Sequence, residues 1–431
     1  MISINLAIKK ADVKLLLLLF IYKVMTDGLY VFFITPYYSY MGMDYNSNAI
    51  KVIVSFLVFF IASFQIVKVY NSKKPSSLIA YLINLVYFIP GSTFFAFSTV
   101  DDKYFVFYSL YWLLFNGYYN LIPAIDFGFI RFKNQKRIFY IILMLTIIGT
   151  IYITGRYNGF RLHFGLFDVY ELRAAVSEIA LPGIFGYFRA IAATLIPIGA
   201  IIFLKRKQYF FFSVFVFLQL FLFAFGGHKT TLFVLVVAIV SIVVIKRNHK
   251  SKIIYLLMGM NLIGVCESML TGKLSNIIAI FQRRNMFTTN LISSWYYEYF
   301  SVNGADFLKQ SFLRHFGFVS KYETPIPQMI SLLYTGRLGG ANNGMIGDAY
   351  ANFGWLGLLV YPIILVLAFR FFDYCTKGLD INIIFVTSVI FAINIINSSF
   401  FTVMLTHGFI FITLILYLIS NRPNQTILKI D

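Results

Sequence analysis

Seven arginines fall in two stretches of this 431-residue chain, 156–183 and 271–354: Arg156, Arg161, Arg173, Arg283, Arg284, Arg314 and Arg337. Those stretches hold only three lysines, Lys273, Lys309 and Lys321, whereas the other basic connections, counted with their flanking span ends, hold 15 Lys and 6 Arg. The difference is chemical. A Lys ammonium supplies a point charge, whereas a planar guanidinium offers two parallel donors to a phosphate or carboxylate. Arginine gathered where charge alone would serve points to an anionic ligand. The competing reading pairs these arginines, inside folded loops, with Asp168, Glu171, Glu178, Glu298, Asp306, Glu323 and Asp348.

The densest constellation runs from Arg337 to Gly357 and holds six glycines, Gly339, Gly340, Gly344, Gly347, Gly354 and Gly357. Glycine lets backbone approach a ligand closely and lets helices pack tightly. Asp348 lies in this run one or two turns ahead of an apolar stretch, where a carboxylate is expensive unless paired or used. It reads as a general base or sugar-hydroxyl acceptor, or else as a helix cap or a salt bridge to Arg337. Arg283-Arg284 is followed by Trp295, Tyr296, Tyr297, Glu298 and Tyr299, whose rings could stack on sugar faces or form an interfacial belt. Arg283, Arg284, Arg337 and Asp348 are the candidate catalytic residues. Arg173, Arg189, His228, Lys229, Tyr297, Glu298, Arg314, His315 and Asn343 are candidates for binding an anionic glycan. Two weaker signals accompany them. Arg173 precedes Gly183 by ten positions, as Arg337 precedes Gly347. Lys23 and Asp27, spaced i,i+4 in the first apolar stretch, read as a self-neutralising pair or as part of a proton path.

Elements that could position such residues follow from composition. Hydrophobic residues make up 59% and charged residues 12% of the chain, with a net charge of +19. Soluble domains are about 25% charged, so the chain reads as an integral membrane protein. No P-loop, HExxH pair, EF-hand loop or GxSxG elbow is present. With 2 Cys, no disulfide framework or cysteine-based metal site is expected. Twelve apolar stretches approach the roughly 20 residues that span a bilayer: 15–36, 50–70, 77–97, 104–125, 138–155, 184–204, 209–225, 230–246, 253–270, 355–372, 381–398 and 401–420. Lysine-rich clusters follow the even-numbered spans, at Lys73-Lys74, Arg131–Arg137, Lys205–Lys207, Lys246–Lys252, Lys377 and Arg422–Lys429. By the positive-inside rule those connections and both termini are cytoplasmic. The arginine-bearing stretches 156–183 and 271–354 then become a medium and a large outer loop. The sequence thus predicts an all-α polytopic protein, 1–431 forming a single membrane domain, with the large outer loop capping the active site. Cys266 and Cys375 fall at opposite membrane faces and cannot pair.

The number of spans, the medium loop with Tyr170-Glu171-Leu172-Arg173 and the large late loop resemble the bacterial oligosaccharide repeat-unit polymerases, the Wzy-type O-antigen polymerases. Asn343 to Gly357 is similar to that family's stretch leading into the span after the large loop. Arg283-Arg284 with Trp295–Tyr299 is similar to its arginine-then-aromatic segment, and Gly226-Gly227-His228-Lys229 resembles its Gly-Arg turn, with Lys in place of Arg. The resemblance implies a multi-helix, GT-C-like glycosyltransferase of the lipid-linked-sugar type in the bacterial inner (plasma) membrane. Its substrates would be undecaprenyl-diphosphate-linked oligosaccharides on the outer leaflet, and its product a lengthened surface polysaccharide such as lipopolysaccharide O-antigen. Neither cofactor nor metal is expected, since no DxD pair occurs in the outer loops. Expected partners are the lipid-linked glycans, membrane lipid and a chain-length regulator protein, with no nucleic acid. Two alternatives stay open: an O-antigen ligase-type transferase with the same chemistry, and a lipid-linked oligosaccharide flippase or transporter, which would concentrate charge at the midplane.

Overall fold

The computed structural model describes residues 10–160, 182–227, 229–245, 250–421 and 427–428. Among the described residues the regular structure is helical, apart from a two-residue parallel pairing of Arg131–Phe132 with Ile427–Leu428. The helices are α1 (Lys10–Met41), α2 (Ala49–Asn71), α3 (Ser77–Phe97), α4 (Asp102–Leu121), α5 (Gln135–Asn158), α6 (Gly183–Lys205), α7 (Tyr209–Gly226), α8 (Lys229–Val244) and α9 (Lys250–Thr271). A π-helical segment, Ile278–Phe287, then leads into α10 (Thr288–Asn303). Beyond it lie α11 (Ile326–Thr335), α12 (Met345–Phe353), α13 (Gly357–Thr376), α14 (Ile381–Asn397) and α15 (Phe409–Tyr417).

Eight helices among the described residues are long and apolar enough to cross a membrane: α1, α2, α3, Gln135–Tyr157 of α5, α6, α7, α9 and the run Met345–Thr376 that joins α12 to α13. The twelve spans read from the sequence are therefore met in part. Each of the other four expected positions carries a helix, with a local reason for falling short. Helix α4 is rich in Tyr and Asn and begins on Asp102. Helices α8 and α14 are apolar but short. The 401–420 stretch is interrupted after a π turn, Thr402–Thr406, by Gly408 at φ +74°, so that α15 begins only at Phe409.

The chain divides into two compact units. Unit one comprises Met1–Pro123, Lys250–Ala368 and Ala392–Phe400; unit two comprises Ala124–His249, Phe369–Phe391 and Phe401–Asp431. The 271–354 stretch is thus built into unit one.

Helix α3 is the core of unit one: 94% of its span is buried, against 33% for α2, whose Leu57, Phe60, Ile61 and Phe64 are exposed as lipid-facing side chains should be. The sequence explains the tight fit. A π turn at Asn84–Phe88 leaves the Tyr87 and Phe88 carbonyls able to accept from Tyr108 Oη of α4, at 2.8 and 3.0 Å. That approach needs Gly91, because a Cβ there would lie 2.0 Å from Tyr108 Oη. Asp101 caps α4, its carboxylate accepting from the Lys103 and Tyr104 amides at 2.6 and 3.1 Å, as its adjacency to Asp102 and Lys103 suggests. Lys23 and Asp27 neutralise each other as the sequence predicts: Nζ meets Oδ1 at 2.5 Å, and Thr93 Oγ1 of α3 bonds the same carboxylate. Cys266 is exposed and Cys375 is buried, both as free thiols.

In unit two, α6 packs on α7, and α5 and α8 pack on both. Lys205 at the end of α6 holds Asp380 and Asn382 at the start of α14, while Asn382 Nδ2 donates to Ser241 O in the last turn of α8 and to Ile245 O just past it.

Candidate functional site

The two adjacent arginines of unit one stand on the π-helical segment Ile278–Phe287, which packs against the π turns Tyr30–Ile34 of α1 and Asn84–Phe88 of α3. The Tyr30 ring lies between those of Phe94 and Phe287, at 5.9 and 4.9 Å. A π insertion changes which faces neighbouring side chains present. Arg283 is half-buried: its Nε donates to Ala279 O at 3.0 Å, and its guanidinium lies 4.4 Å over the Tyr38 ring. Arg284 is exposed. The ion pairs among the described residues join Lys23 to Asp27, Lys51 to Asp102, Lys205 to Asp380 and Arg370 to Asp373. None uses Arg283, Arg284, Arg314 or Arg337, so none of the four pairs with Glu298, Asp306, Glu323 or Asp348, while Asp168, Glu171 and Glu178 lie outside the described residues. Two of these carboxylates are engaged elsewhere: Asp306 accepts from Ser320 Oγ and the Gln310 amide, and Asp348 from the groups described next.

Asp348 is neither salt-bridged to Arg337 nor used as a helix cap. It lies buried in α12, its Oδ2 accepting from Tyr361 Oη and the Phe400 amide, each at 2.8 Å, and its Oδ1 from Asn352 Nδ2 at 2.9 Å. Asn352 in turn accepts from the Leu308 amide at 2.9 Å. One carboxylate thereby ties α12 to Tyr361 near the start of α13, to Phe400 three residues past the end of α14, and through Asn352 to the 304–324 loop. Sequence reasoning missed Tyr361 and Phe400, because donors 13 and 52 residues away leave no local pattern; Asn352, one helical turn on from Asp348, was visible as an i,i+4 partner. The glycines of this run serve packing. A Cβ on Gly344 would lie 2.6 Å from Ile396 O, and one on Gly357 2.4 Å from Ala349 O. Among the described residues the ten-residue echo is not matched in environment, since Gly347 abuts Asn343 and Tyr296 whereas a Cβ on Gly183 would meet nothing within 4 Å.

Arg337, Arg314, His315 and Glu298 are exposed. The aromatic segment of α10 is used for packing rather than as an open platform. Tyr297 is buried, with Tyr350 at 4.3 Å and Tyr104 at 5.4 Å, and Trp295 stacks on Tyr334 at 5.1 Å. Tyr296 Oη donates to Ala341 O at 2.9 Å. Asn343 is buried, and its Nδ2 has no hydrogen-bond partner among the described residues. Next to it, Met345 and Ile346 line a small, mainly apolar cavity with room for about one water, together with Tyr111, Trp112, Leu365 and Ile396, and the Tyr111 hydroxyl there has no hydrogen-bond partner among the described residues.

Unit two carries the other candidates. Arg189 is half-buried on α6, its guanidinium 4.1 Å over the Phe225 ring. Phe225 directly precedes the Gly226-Gly227 turn, where Gly227 at φ +60° closes α7 in a conformation that a Cβ-bearing residue adopts at a cost. Helix α8 starts at Lys229. Arg189 therefore stands beside the Gly226–Lys229 turn that the sequence singles out separately. The turn at His407-Gly408 comes to the same helix: a Cβ on Gly408 would lie 2.9 Å from Ile191. Sequence reasoning did not select His407, which sits inside an expected span. Arg161, Arg173 and His228 lie outside the described residues. Among the described residues no group of three or more His, Cys, Asp or Glu side chains forms a site able to hold a metal ion. No protein-family model, curated protein or solved structure matches this chain.

Proposed function

We propose that this chain is a polymerase of lipid-linked oligosaccharide repeat units, acting on the outer face of the bacterial inner membrane with both termini in the cytoplasm. The observation that supports the reading best is that Arg283, Arg284, Arg314 and Arg337 keep their guanidiniums clear of carboxylates among the described residues. An arginine with no carboxylate on its guanidinium keeps its two parallel donors free for a diphosphate. In the reaction, a sugar hydroxyl of the incoming unit attacks the anomeric carbon of the growing glycan. The anomeric carbon–oxygen bond to the lipid diphosphate breaks, the diphosphate leaves with the bond's electron pair, and the acceptor's proton passes to a base or to water. Charge accumulates on the leaving diphosphate, and preorganised guanidiniums stabilise it there, each donor contributing roughly 10²–10³ in rate.

Asp348, with three donors on its oxygens, holds the Arg337–Gly357 run in place in this reading and does not take the proton. The family resemblance in the Asn343–Gly357 and Arg283–Tyr299 segments supports the same assignment. The test is complementation of a strain lacking the gene, with surface polysaccharide separated by length. Arg283→Ala and Arg337→Ala, inserted at normal levels, should give single repeat units in place of long chains. Normal chains from both variants would defeat the site. Polymer that forms in the null strain but is not displayed would favour the ligase or flippase instead.

A further inference from the structure

The segment between α10 and α11 is short of regular structure yet firmly held. At its base the Asp306 and Phe307 amides donate to Ala351 O and Asn352 O at 2.8 and 3.2 Å, and the Leu308 amide to Asn352 Oδ1. Phe307 and Leu308 both take left-handed backbone conformations, φ +54° and +62°, which non-glycine residues adopt only under restraint. Gln310 fixes the returning limb, donating to Tyr322 O and Thr324 O and accepting from the Ile326 amide. A loop so restrained presents its tip in one orientation. That tip is apolar and open: Phe312, Phe316, Phe318 and Val319 are 40%, 66%, 54% and 83% exposed. Arg314 and His315 stand among them, exposed as well.

Two observations set the level of this tip. Its base is bonded to the last turn of α12, just ahead of α13, whose 20 residues rise about 30 Å, the thickness of the hydrocarbon layer. Between them Trp355 and Leu356 are 45% and 64% exposed, at the position where a spanning helix enters the interface and where Trp is favoured. The base therefore lies at the bilayer surface. Four large apolar side chains held there would cost free energy in water, and within a headgroup layer they bury apolar area. The charge fits the same occupant: Lys309, Arg314 and Lys321 outnumber Asp306 across residues 306–322, and anionic headgroups attract such clusters.

We propose that the 306–322 loop is a membrane-inserting finger, with Phe312, Phe316, Phe318 and Val319 seated among the acyl chains and Arg314 on the phosphates of anionic phospholipid. This holds the arginine-bearing segment of unit one at the lipid surface whatever reaction the chain performs. The test uses the full chain, with Cys266→Ala removing the exposed thiol and Cys375 left buried. An environment-sensitive fluorophore is attached at Phe316→Cys, Val319→Cys or Thr324→Cys, and the protein is reconstituted in phosphatidylethanolamine–phosphatidylglycerol vesicles. Probes at 316 and 319 should shift to the blue relative to 324, be quenched by headgroup-proximal nitroxide lipid and be shielded from aqueous iodide. Arg314→Gln with Lys309→Gln should reduce lipid quenching in these vesicles and leave it unchanged in phosphatidylcholine. Iodide reaching 316 and 319 as freely as 324 would overturn the proposal. Exclusion of both quenchers would overturn it too, by assigning the tip to a protein, such as a second copy of this chain.

Discussion

Replacing Asp348 separates a structural tether from a proton acceptor. In Asp348→Ala, Tyr361 Oη, Asn352 Nδ2 and the Phe400 amide lose their acceptor, and all three residues are buried. A buried donor left unmade costs about 1–3 kcal/mol, so three would cost about 3–9 kcal/mol. A water in the vacated carboxylate volume can satisfy part of this, which brings the loss to about 3–6 kcal/mol, a large share of a typical stability of 5–15 kcal/mol. Asp348→Asn keeps one oxygen. Turned toward Tyr361 and Phe400, it sets its own NH₂ against Asn352 Nδ2. If Asn352 flips in response, its amino group meets the Leu308 amide instead. One donor–donor contact survives either way, at about 1–3 kcal/mol. Thermal unfolding of the detergent-solubilised protein should therefore rank wild type above Asp348→Asn above Asp348→Ala, with polymer length falling in the same order. An Asp348→Asn protein as stable as wild type but without long polymer would refute the tether argument and restore Asp348 as the base.

Arg337→Lys keeps the charge but loses the fork, so chain extension should recover only partly relative to Arg337→Ala, read from the length distribution of the polymer; full recovery would mean that charge alone serves. Gly344→Ala places a methyl 2.6 Å from Ile396 O and should cost about 1–3 kcal/mol in thermal stability, whereas Gly259→Ala, on α9 with nothing within 4 Å of the added methyl, should cost nothing. Lys23→Met leaves the Asp27 carboxylate buried without its ammonium and should destabilise by about 3–5 kcal/mol. Lys23→Met with Asp27→Leu should restore most of that loss, measured as the melting temperature of both variants; a double variant no better than the single would point to a working role for the pair.

What the sequence determined by itself is what local composition and spacing encode. The apolar stretches mark the helices, since a bilayer leaves the backbone few other ways to satisfy its hydrogen bonds. The i,i+4 spacing of Lys23 and Asp27 gives their pairing, and Asp101 before Asp102 and Lys103 gives the cap of α4. The contrast between Arg and Lys singled out Arg283, Arg284, Arg314 and Arg337, which have no carboxylate partner among the described residues. Tertiary structure decided what depends on residues far apart in the chain. Asp348 receives donors from 13 and 52 positions away, so its role could not be read from the Gly-rich run around it. Tyr297 has the composition of a stacking surface, but Tyr104 and Tyr350, contributed by other helices, enclose it. Arg189 and the Gly226-Gly227 turn were separate marks in the sequence, and the packing of α6 on α7 sets the Arg189 guanidinium over Phe225. Periodicity and charge are properties of a segment, whereas burial and hydrogen-bond partnership belong to the set of segments that packing brings into contact.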